Sequence, residues 1–256
     1  MLAAERRSRI LGEVDDLGVV RITQLAEDLA VSDMTIRRDL TALAARGLVR
    51  KVHGGAVAPH LSAHERHAAH RDAVTAEREQ GVAEAAAGLV APGSSIAIGA
   101  GRTATLLAVH IAATPSLRPL TVTTNSLPIA EALHRSNDPR LTTIVTGGTR
   151  LGSGTLVGPL AASAFAHLPM SMAFIDVAGI STTHGLSART ADDAAASRSL
   201  VGSAARSVIL AERSKWGANG SAWFATLAEV DAIVTDFVPP DQKRRLYDLS
   251  AQIVLA

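Results

Sequence analysis

The sequence predicts an α/β protein of two domains, a small helical unit that ends in a β-hairpin and a larger domain built on a mostly parallel sheet. The length of 256 residues fits two domains of ordinary size. Apolar residues repeat at helical spacing up to about residue 47 and then flank a Gly-Gly turn. From about residue 76, short apolar segments alternate with helical patterns, which is typical of parallel sheets covered by helices. We expect domains at 1–58 and 76–256, joined by a linker at 59–75.

Composition excludes several classes of protein. The chain has no cysteine, which excludes disulfides and cysteine-based zinc or iron–sulfur sites. Hydrophobic residues make up 47% and charged residues 19%, as in globular proteins. No uncharged apolar run reaches the roughly 18 residues of a membrane span, and the charged start MLAAERRSRI lacks the apolar stretch of a signal peptide. We therefore expect a cytoplasmic protein without membrane association. The net charge of +1 gives no indication of nucleic-acid binding.

Two helices are predicted before residue 30. An apolar stripe with spacings of one, three and three lies on the first: Ile10, Leu11, Val14 and Leu17. The second is expected to bury Leu25, Ala26 and Leu29, with Thr23 as the residue that caps its start.

A third helix follows a tight turn at Ala30-Val31. Ser32 is its predicted N-cap, and its buried stripe is Ile36, Leu40 and Leu43. The opposite face carries Asp33, Met34, Thr35, Arg37, Arg38 and Thr41. Behind it, the apolar segments 48–52 and 56–58 flank His53-Gly54-Gly55, which predicts a β-hairpin.

Three helices followed by a hairpin are the plan of a winged helix-turn-helix. Arginines at the exposed start of the third helix suit a recognition helix, because one guanidinium can bind a guanine edge while another binds a phosphate. Two arginines alone would favour an ordinary solvated face on a small helical domain. The capped basic helix together with a basic wing favours DNA binding.

Four histidines lie in the linker at spacings of four, three and three: His60, His64, His67 and His70. On a helix they would share one face, where imidazoles suit divalent transition metals. The alternative is a polar connecting helix that tolerates histidine, and we favour it because no carboxylate–histidine signature accompanies them. We expect no metal and no cofactor.

In the larger domain, strands and helices are predicted to alternate. The predicted strands are 95–98, 120–124, 141–145, 172–177, 207–211, 232–235 and 251–255. The predicted helices are 76–90, 103–112, 127–135, 160–167, 191–205 and 241–249. Ligands of such folds bind at the carboxyl ends of the strands.

Donor-rich loops follow three successive strands at this edge of the sheet. They are Gly99-Ala100-Gly101-Arg102-Thr103, Thr124-Asn125-Ser126 and Gly147-Gly148-Thr149-Arg150. Glycines allow backbone N–H groups to approach an anion, and a helix N-terminus adds positive potential. A glycine-rich turn alone also serves tight packing. Three such loops together predict a phosphate or polyol site.

Both halves of the chain carry a family resemblance. Residues 32–40 fit S-x-x-T-I-R-R-D-L, and residues 52–56 read V-H-G-G-A. Further matches are the V-T-T-N-S segment at 122–126 and L-A-E-R-S-K-W-G at 210–217. In these motifs the chain resembles the DeoR family of bacterial transcription regulators, whose effector domain is related in fold to ribose-5-phosphate isomerase. The resemblance implies a homo-oligomeric repressor of a carbohydrate-catabolism operon that is released from operator DNA by a phosphorylated sugar or related metabolite.

The resemblance also implies which residues contact each ligand. Asp39 is expected to orient an arginine, because a carboxylate would repel phosphates. The expected DNA contacts are Thr23, Ser32, Thr35, Arg37, Arg38, Arg50, Lys51, His53 and Gly54. The expected effector contacts are Gly99, Ala100, Gly101, Arg102, Thr103, Thr124, Asn125, Ser126, Gly147, Gly148, Thr149, Asp176 and Lys215.

Two positions depart from the family pattern. Gly99 stands where the family has an aspartate, and Arg102 stands where it has a threonine. Together they indicate either a more anionic or differently shaped effector, or drift in a loop that keeps its backbone geometry.

Asp176 and Lys215 also leave a second function open. Lys215 is one of three lysines in the chain and is either a ligand contact or an exposed side chain. The pair resembles a remnant of an isomerase site, so a sugar-phosphate isomerase-like enzyme with a DNA-binding domain is the alternative. No second strand-end carboxylate accompanies them, and we favour a regulator that is not an enzyme.

Overall fold

A computed structural model describes residues 3–17, 19–52, 54–57, 63–240 and 251–256. Within its helices, the side chains of residues 4, 5, 15–17 and 63–73 lie outside the description. The chain divides into two compact units, Met1–Ala76 and Glu77–Ala256. The predicted helix 241–249, His53 and His60 fall outside the described residues.

The described helices are α1 (Ala3–Leu17), α2 (Ile22–Asp28), α3 (Asp33–Ala45), α4 (Ala63–Ala87), α5 (Arg102–Ala112), α6 (Leu127–His134), α7 (Pro159–His167) and α8 (Ala191–Val201). The described strands of the first unit are β1 (Val19–Arg21), β2 (Arg50–Val52) and β3 (Gly55–Val57). Those of the second unit are β4 (Ser95–Ile98), β5 (Leu120–Thr124), β6 (Leu141–Val145), β7 (Thr149–Arg150), β8 (Leu156–Val157), β9 (Met172–Asp176), β10 (Gly179–Ser181), β11 (Gly185–Ala188), β12 (Ser207–Leu210), β13 (Ala222–Ala225), β14 (Ala232–Thr235) and β15 (Gln252–Leu255).

The first unit is a three-helix domain with a β-hairpin, as predicted. The apolar stripes of α1, α2 and α3 meet in one core that includes Ile10, Leu25 and Leu40. The hairpin strands β2 and β3 pair antiparallel, and β1 pairs with β3 to complete a three-stranded sheet. Gly55 is required there, because a Cβ at this position would lie 2.0 Å from the carbonyl oxygen of Val20 on β1.

Two local predictions for this unit are corrected. Thr23 does not cap α2, because the helix begins at Ile22 and Arg21 stands at the N-cap position without a side-chain hydrogen bond. Thr23 instead lies exposed within the first turn. In the predicted linker, residues 63–75 belong to α4, which is therefore longer than the helix predicted from residue 76.

The second unit is built on a seven-stranded parallel sheet in the order β15-β14-β12-β9-β4-β5-β6. The central strands are almost wholly apolar and buried, as expected for a sheet covered on both faces. Two apolar clusters are formed, one containing Leu107 from α5 and the other Phe165 from α7.

The strand order reverses between β4 and β9. From β4 the chain proceeds outward through β5 and β6, and it then returns to place β9 on the other side of β4. Helices that follow two such strands leave in opposite directions, and the crevice between them at the carboxyl ends of the strands is the usual ligand site of open α/β sheets. The loops that begin at Gly99 and at Asp176 meet this crevice.

Short antiparallel pieces were not predicted from the sequence. Strands β10, β11 and β13 form a small separate sheet, and β7 pairs with β8 in a hairpin. The predicted helix 191–205 ends earlier, at Val201. In the described part of the chain, none of the helices combines the length and apolar character that a bilayer crossing requires.

Candidate functional site

The exposed face of α3 is polar and carries two arginines. Arg37 and Arg38 are exposed, as are Ser32 and Thr41, whereas Ile36 and Leu40 are buried on the opposite side. Ser32 caps the helix as predicted, because its Oγ accepts the N–H of Thr35 at 3.3 Å. The cap orders the start of α3, from which a recognition helix contacts base edges.

Asp39 lies on the same helix but is buried. Its two carboxylate oxygens accept Nε–H from Arg6 at 2.5 Å and from Arg7 at 2.7 Å, both on α1. Burial raises the pKa of Asp39, but the hydrogen bonds and charges of the two arginines outweigh burial and hold that pKa below its ordinary value. The negative charge of Asp39 is thereby balanced by two arginines on the side of α3 that faces α1, away from the exposed face. The same two ion pairs hold α3 against α1.

The wing of this unit is the hairpin of β2 and β3, and Lys51 connects it to α3 through a hydrogen bond. The ammonium of Lys51 on β2 donates to Oγ1 of Thr41 at 3.0 Å, and that hydroxyl donates to the carbonyl of Arg37 at 2.7 Å. Lys51 and Gly54 are exposed and Arg50 is half-buried. The predicted DNA contacts on α3 and on the described part of the wing therefore lie next to one another.

A cavity of about 530 Å³ opens at the carboxyl ends of β4 and β9. Its volume is typical of small-molecule sites. Among the predicted effector contacts, the wall contains Ala100, Gly101, Arg102, Asn125, Ser126 and Asp176. The wall also contains polar residues not predicted from the sequence: Thr105, Ser153, Thr155, Arg189, Thr190, Asp193 and Ser197.

The glycine loop and Asp176 are built against each other. A Cβ on Gly101 would lie 2.2 Å from Cβ of Asp176, so a larger residue does not fit. One oxygen of Asp176 accepts the N–H of Thr103 at 3.0 Å, at the start of α5. The N–H groups of Gly101 and Arg102 donate to no group in the described part of the chain. Two unpaired donors at a helix N-terminus that line a cavity are suited to an anion.

Asn125 holds the loop in place. Its Oδ1 accepts the N–H of Ala100 at 3.1 Å, and its Nδ2 donates to the carbonyl of Leu156 at 3.0 Å. The side chain is almost fully buried, so these two bonds join the loop after β4 to β8. Ser126 caps α6 by accepting the N–H of Ile129, and the hydroxyl of Thr124 accepts the N–H of Ser126. These residues shape the wall of the cavity.

Charged groups cluster beside the glycine loop. The Nε of Arg102 lies 2.7 Å from Oε2 of Glu79, a buried carboxylate on α4. Burial raises the pKa of Glu79, and the charges of Arg102 and Lys215 oppose that rise. Burial likewise raises the pKa of Asp176, against the charges of Lys215 and Arg189 and the N–H groups of Thr103 and Ala104. Lys215 thus acts on both carboxylates without lining the cavity.

Several predicted contacts lie away from the cavity wall. Gly147, Gly148 and Thr149 follow the edge strand β6, and all three are exposed. The turn of the β7–β8 hairpin that comes next is the part of this segment that lines the cavity. Thr103 and Thr124 are buried behind the wall. At Gly99, a Cβ would lie 2.6 Å from Cδ1 of Leu200, so the space beside this position is filled by a leucine of α8.

No group of three or more His, Asp or Glu that could hold a metal ion occurs among the described residues. His60 and the side chains of His64, His67 and His70 lie outside that description, so the metal alternative for the linker is not tested there.

Family models match both units. Residues 6–61 match the model described as DeoR-like helix-turn-helix domain, and residues 74–237 match the DeoR C terminal sensor domain. A helix-turn-helix transcriptional regulator of Escherichia coli K12, YgbI, is 34% identical over 96% of this chain and 94% of its own length. The glycerol-3-phosphate regulon repressor of the same organism is 27% identical over 94% of this chain and 93% of its own.

Among solved structures, ribose-5-phosphate isomerase A of Methanocaldococcus jannaschii is similar to 54% of this chain, and the match covers 53% of that chain. The TM-score is 0.39 and the sequence identity is 18%. A likeness of this size says nothing about activity.

Proposed function

Because this chain belongs to the DeoR family of DNA-binding transcriptional regulators, we propose that it is a repressor of a carbohydrate-catabolism operon. A phosphorylated sugar or related metabolite binds the cavity between β4 and β9 and releases the protein from its operator. The name of the glycerol-3-phosphate regulon repressor supports a phosphorylated polyol as the class of effector. On this proposal the protein is a cytoplasmic sensor of the effector and does not catalyse a reaction.

The observation that carries the proposal is the pair of unpaired N–H groups at Gly101 and Arg102. They line the cavity where the strand order reverses, between β4 and β9, and they lie at the N-terminus of α5. A phosphate that accepts both gains two charge-assisted hydrogen bonds and the favourable potential of the helix. Asp176, at the adjacent strand end, lines the same cavity and is placed to accept a sugar hydroxyl.

Recognition of DNA is assigned to α3 and the wing. Arg37 and Arg38 are exposed on the helix that is proposed to enter the major groove, where a guanidinium binds the O6 and N7 of guanine. Lys51 is placed to contact a phosphate from the wing, which fixes the register of α3 without reading sequence. Since one such domain reads only a short half-site, we propose that a homo-oligomer pairs two of them on the operator.

Release requires the effector to bind better to the form that does not bind DNA. The Glu79–Arg102 contact supports a route for this coupling, because Glu79 belongs to α4 and Arg102 to the effector loop. An effector phosphate that attracts Arg102 competes with Glu79 and so acts on α4.

The test is a gel-shift titration with DNA from upstream of the gene, with and without a panel of sugar phosphates. The proposal predicts specific binding that a sugar phosphate reverses. Binding that no sugar phosphate alters would favour a DNA-organising protein, and turnover of a sugar phosphate without DNA binding would favour the isomerase-like alternative.

Arg37→Ala should relax base specificity by about 1–3 kcal/mol at one position. Arg135→Ala, at the exposed residue that follows α6 in the other unit, is the matched control.

A further inference from the structure

Arg189 lies in the wall of the same cavity as the glycine loop but on a different segment of the chain. It stands between β11 and α8, next to Thr190, which caps α8 by accepting the N–H of Asp193 at 3.1 Å. This wall comes from the small antiparallel sheet rather than from the ends of the parallel strands. The cavity therefore has a cationic side chain on a second, separate element.

The two arginines of the cavity differ in their partners. Arg102 already has a carboxylate, Glu79, at 2.7 Å. The exposed side chain of Arg189 makes no hydrogen bond and no ion pair within the described residues. Its positive charge still acts on the site. Burial raises the pKa of Asp176, and the charge of Arg189 opposes that rise. Arg189 thus presents an unmatched positive charge to the space that the effector would occupy.

Asp193 is an acidic residue of the same wall, and its carboxylate is already hydrogen-bonded within the start of α8. One of its carboxylate oxygens accepts the hydroxyl of Thr190 at 2.8 Å. It also lies in the first turn of α8, where the helix dipole favours a negative charge. Asp193 is therefore satisfied within its own helix cap, and it is placed to accept a hydroxyl of a ligand as well.

We propose that Arg189 determines specificity by binding a second anionic group of the effector, in addition to the phosphate at Gly101 and Arg102. This inference rests on the proposed function, and it narrows the effector class to molecules with an acid at both ends. A phosphorylated sugar acid and a sugar bisphosphate share this chemistry, because the planar guanidinium binds carboxylate and phosphate alike.

The test uses matched open-chain ligands of four, five and six carbons. Each length is supplied as the alditol monophosphate, the aldonate phosphate and the alditol bisphosphate, which differ only at the second end. Isothermal titration is carried out on the full-length wild type, on Arg189→Ala and Arg189→Lys, and on Arg135→Ala as the control. The melting temperature of each variant verifies folding, and Arg189 is exposed, so its replacement should leave the fold intact.

The wild type and Arg135→Ala should bind the best doubly acidic ligand at least tenfold more tightly than the matched monophosphate. Arg189→Ala should reduce that ratio to near one while keeping its affinity for the monophosphate, and Arg189→Lys should retain part of it. Whether the aldonate or the bisphosphate binds best identifies the second acid.

Equal affinity of the wild type for the monophosphate and for the matched ligands with two acidic groups, or a ratio unchanged in Arg189→Ala, would overturn the role of Arg189 and leave the sugar-phosphate regulator standing. Failure of every ligand to bind would overturn the proposed effector class and the role of Arg189 together.

Discussion

Asp39 is an acid on the proposed recognition helix, and its burial against Arg6 and Arg7 explains how it is tolerated there. Asp39→Asn removes the charge and leaves two arginines without their partner. Breaking a buried ion pair in this way costs about 3 kcal/mol. We expect the free energy of unfolding of the first unit to fall by about that amount, measured by urea denaturation at pH 7. Asp33→Asn, on the exposed first turn of α3, should cost under about 1 kcal/mol.

The same pair predicts a pH dependence of stability. Because the folded-state pKa of Asp39 lies below its ordinary value, the stabilisation is complete above about pH 4 and is lost as the pH falls through the folded pKa. The difference in unfolding free energy between wild type and Asp39→Asn should therefore be constant from pH 5 to 7 and should shrink below pH 4. A difference that grows on acidification would contradict the ion-pair account.

A substitution at Gly101 tests how closely the effector loop, residues 99–103, packs against Asp176. The Cβ of Gly101→Ala would meet Asp176 at 2.2 Å, so either the loop or the carboxylate must move. We expect affinity for the effector to fall at least tenfold, measured by titration calorimetry, with operator affinity in the absence of effector unchanged. Gly152→Ala is the control, because Gly152 also lines the cavity but has open space around its Cβ position. Equal effects of the two variants would argue against the role of the close approach.

Helix α4 carries a prediction at the scale of elements. Glu79 lies 2.7 Å from the guanidinium of Arg102, so we expect an anionic effector to compete with this carboxylate. Glu79→Gln should raise effector affinity about three- to tenfold and lower the effector concentration that half-releases the operator. Glu84→Gln, an exposed position of the same helix that bonds Gln80, should change neither value. Weaker effector binding in Glu79→Gln would mean that Glu79 positions Arg102 instead of competing for it.

The wing carries a second prediction at this scale. Lys51 is exposed and tethered to Thr41, which places its charge beside the recognition helix. Loss of one phosphate contact in Lys51→Ala should reduce the slope of log affinity against log salt by about 0.9 without changing base preference. Fluorescence anisotropy with operator and random DNA at several salt concentrations measures both. A changed base preference with an unchanged slope would assign Lys51 to base recognition.

For the whole molecule, periodicity predicts the three-helix unit and the alternation of parallel strands with helices, because buried strands such as Ser207–Leu210 are almost entirely apolar. The glycine loop and Asp176 were identified because the strand ends of a parallel sheet share one edge. Arg189 and Asp193 were missed, because the small sheet that carries this wall has strands of three to four residues and no glycine-rich signal. The sequence predicts Gly147 at the cavity, but β6 lies at the edge of the sheet, and it is the turn of the following β7–β8 hairpin that lines the cavity.

The central claim is that the cavity between β4 and β9 controls affinity for DNA. The most direct measurement is the coupling between the two ligands. Operator affinity is measured by anisotropy with and without saturating effector, and effector affinity by calorimetry with and without saturating operator. Linkage requires the two ratios to be equal, and we predict a common factor between about 5 and 150. Operator affinity that is unchanged at saturating effector would contradict the account.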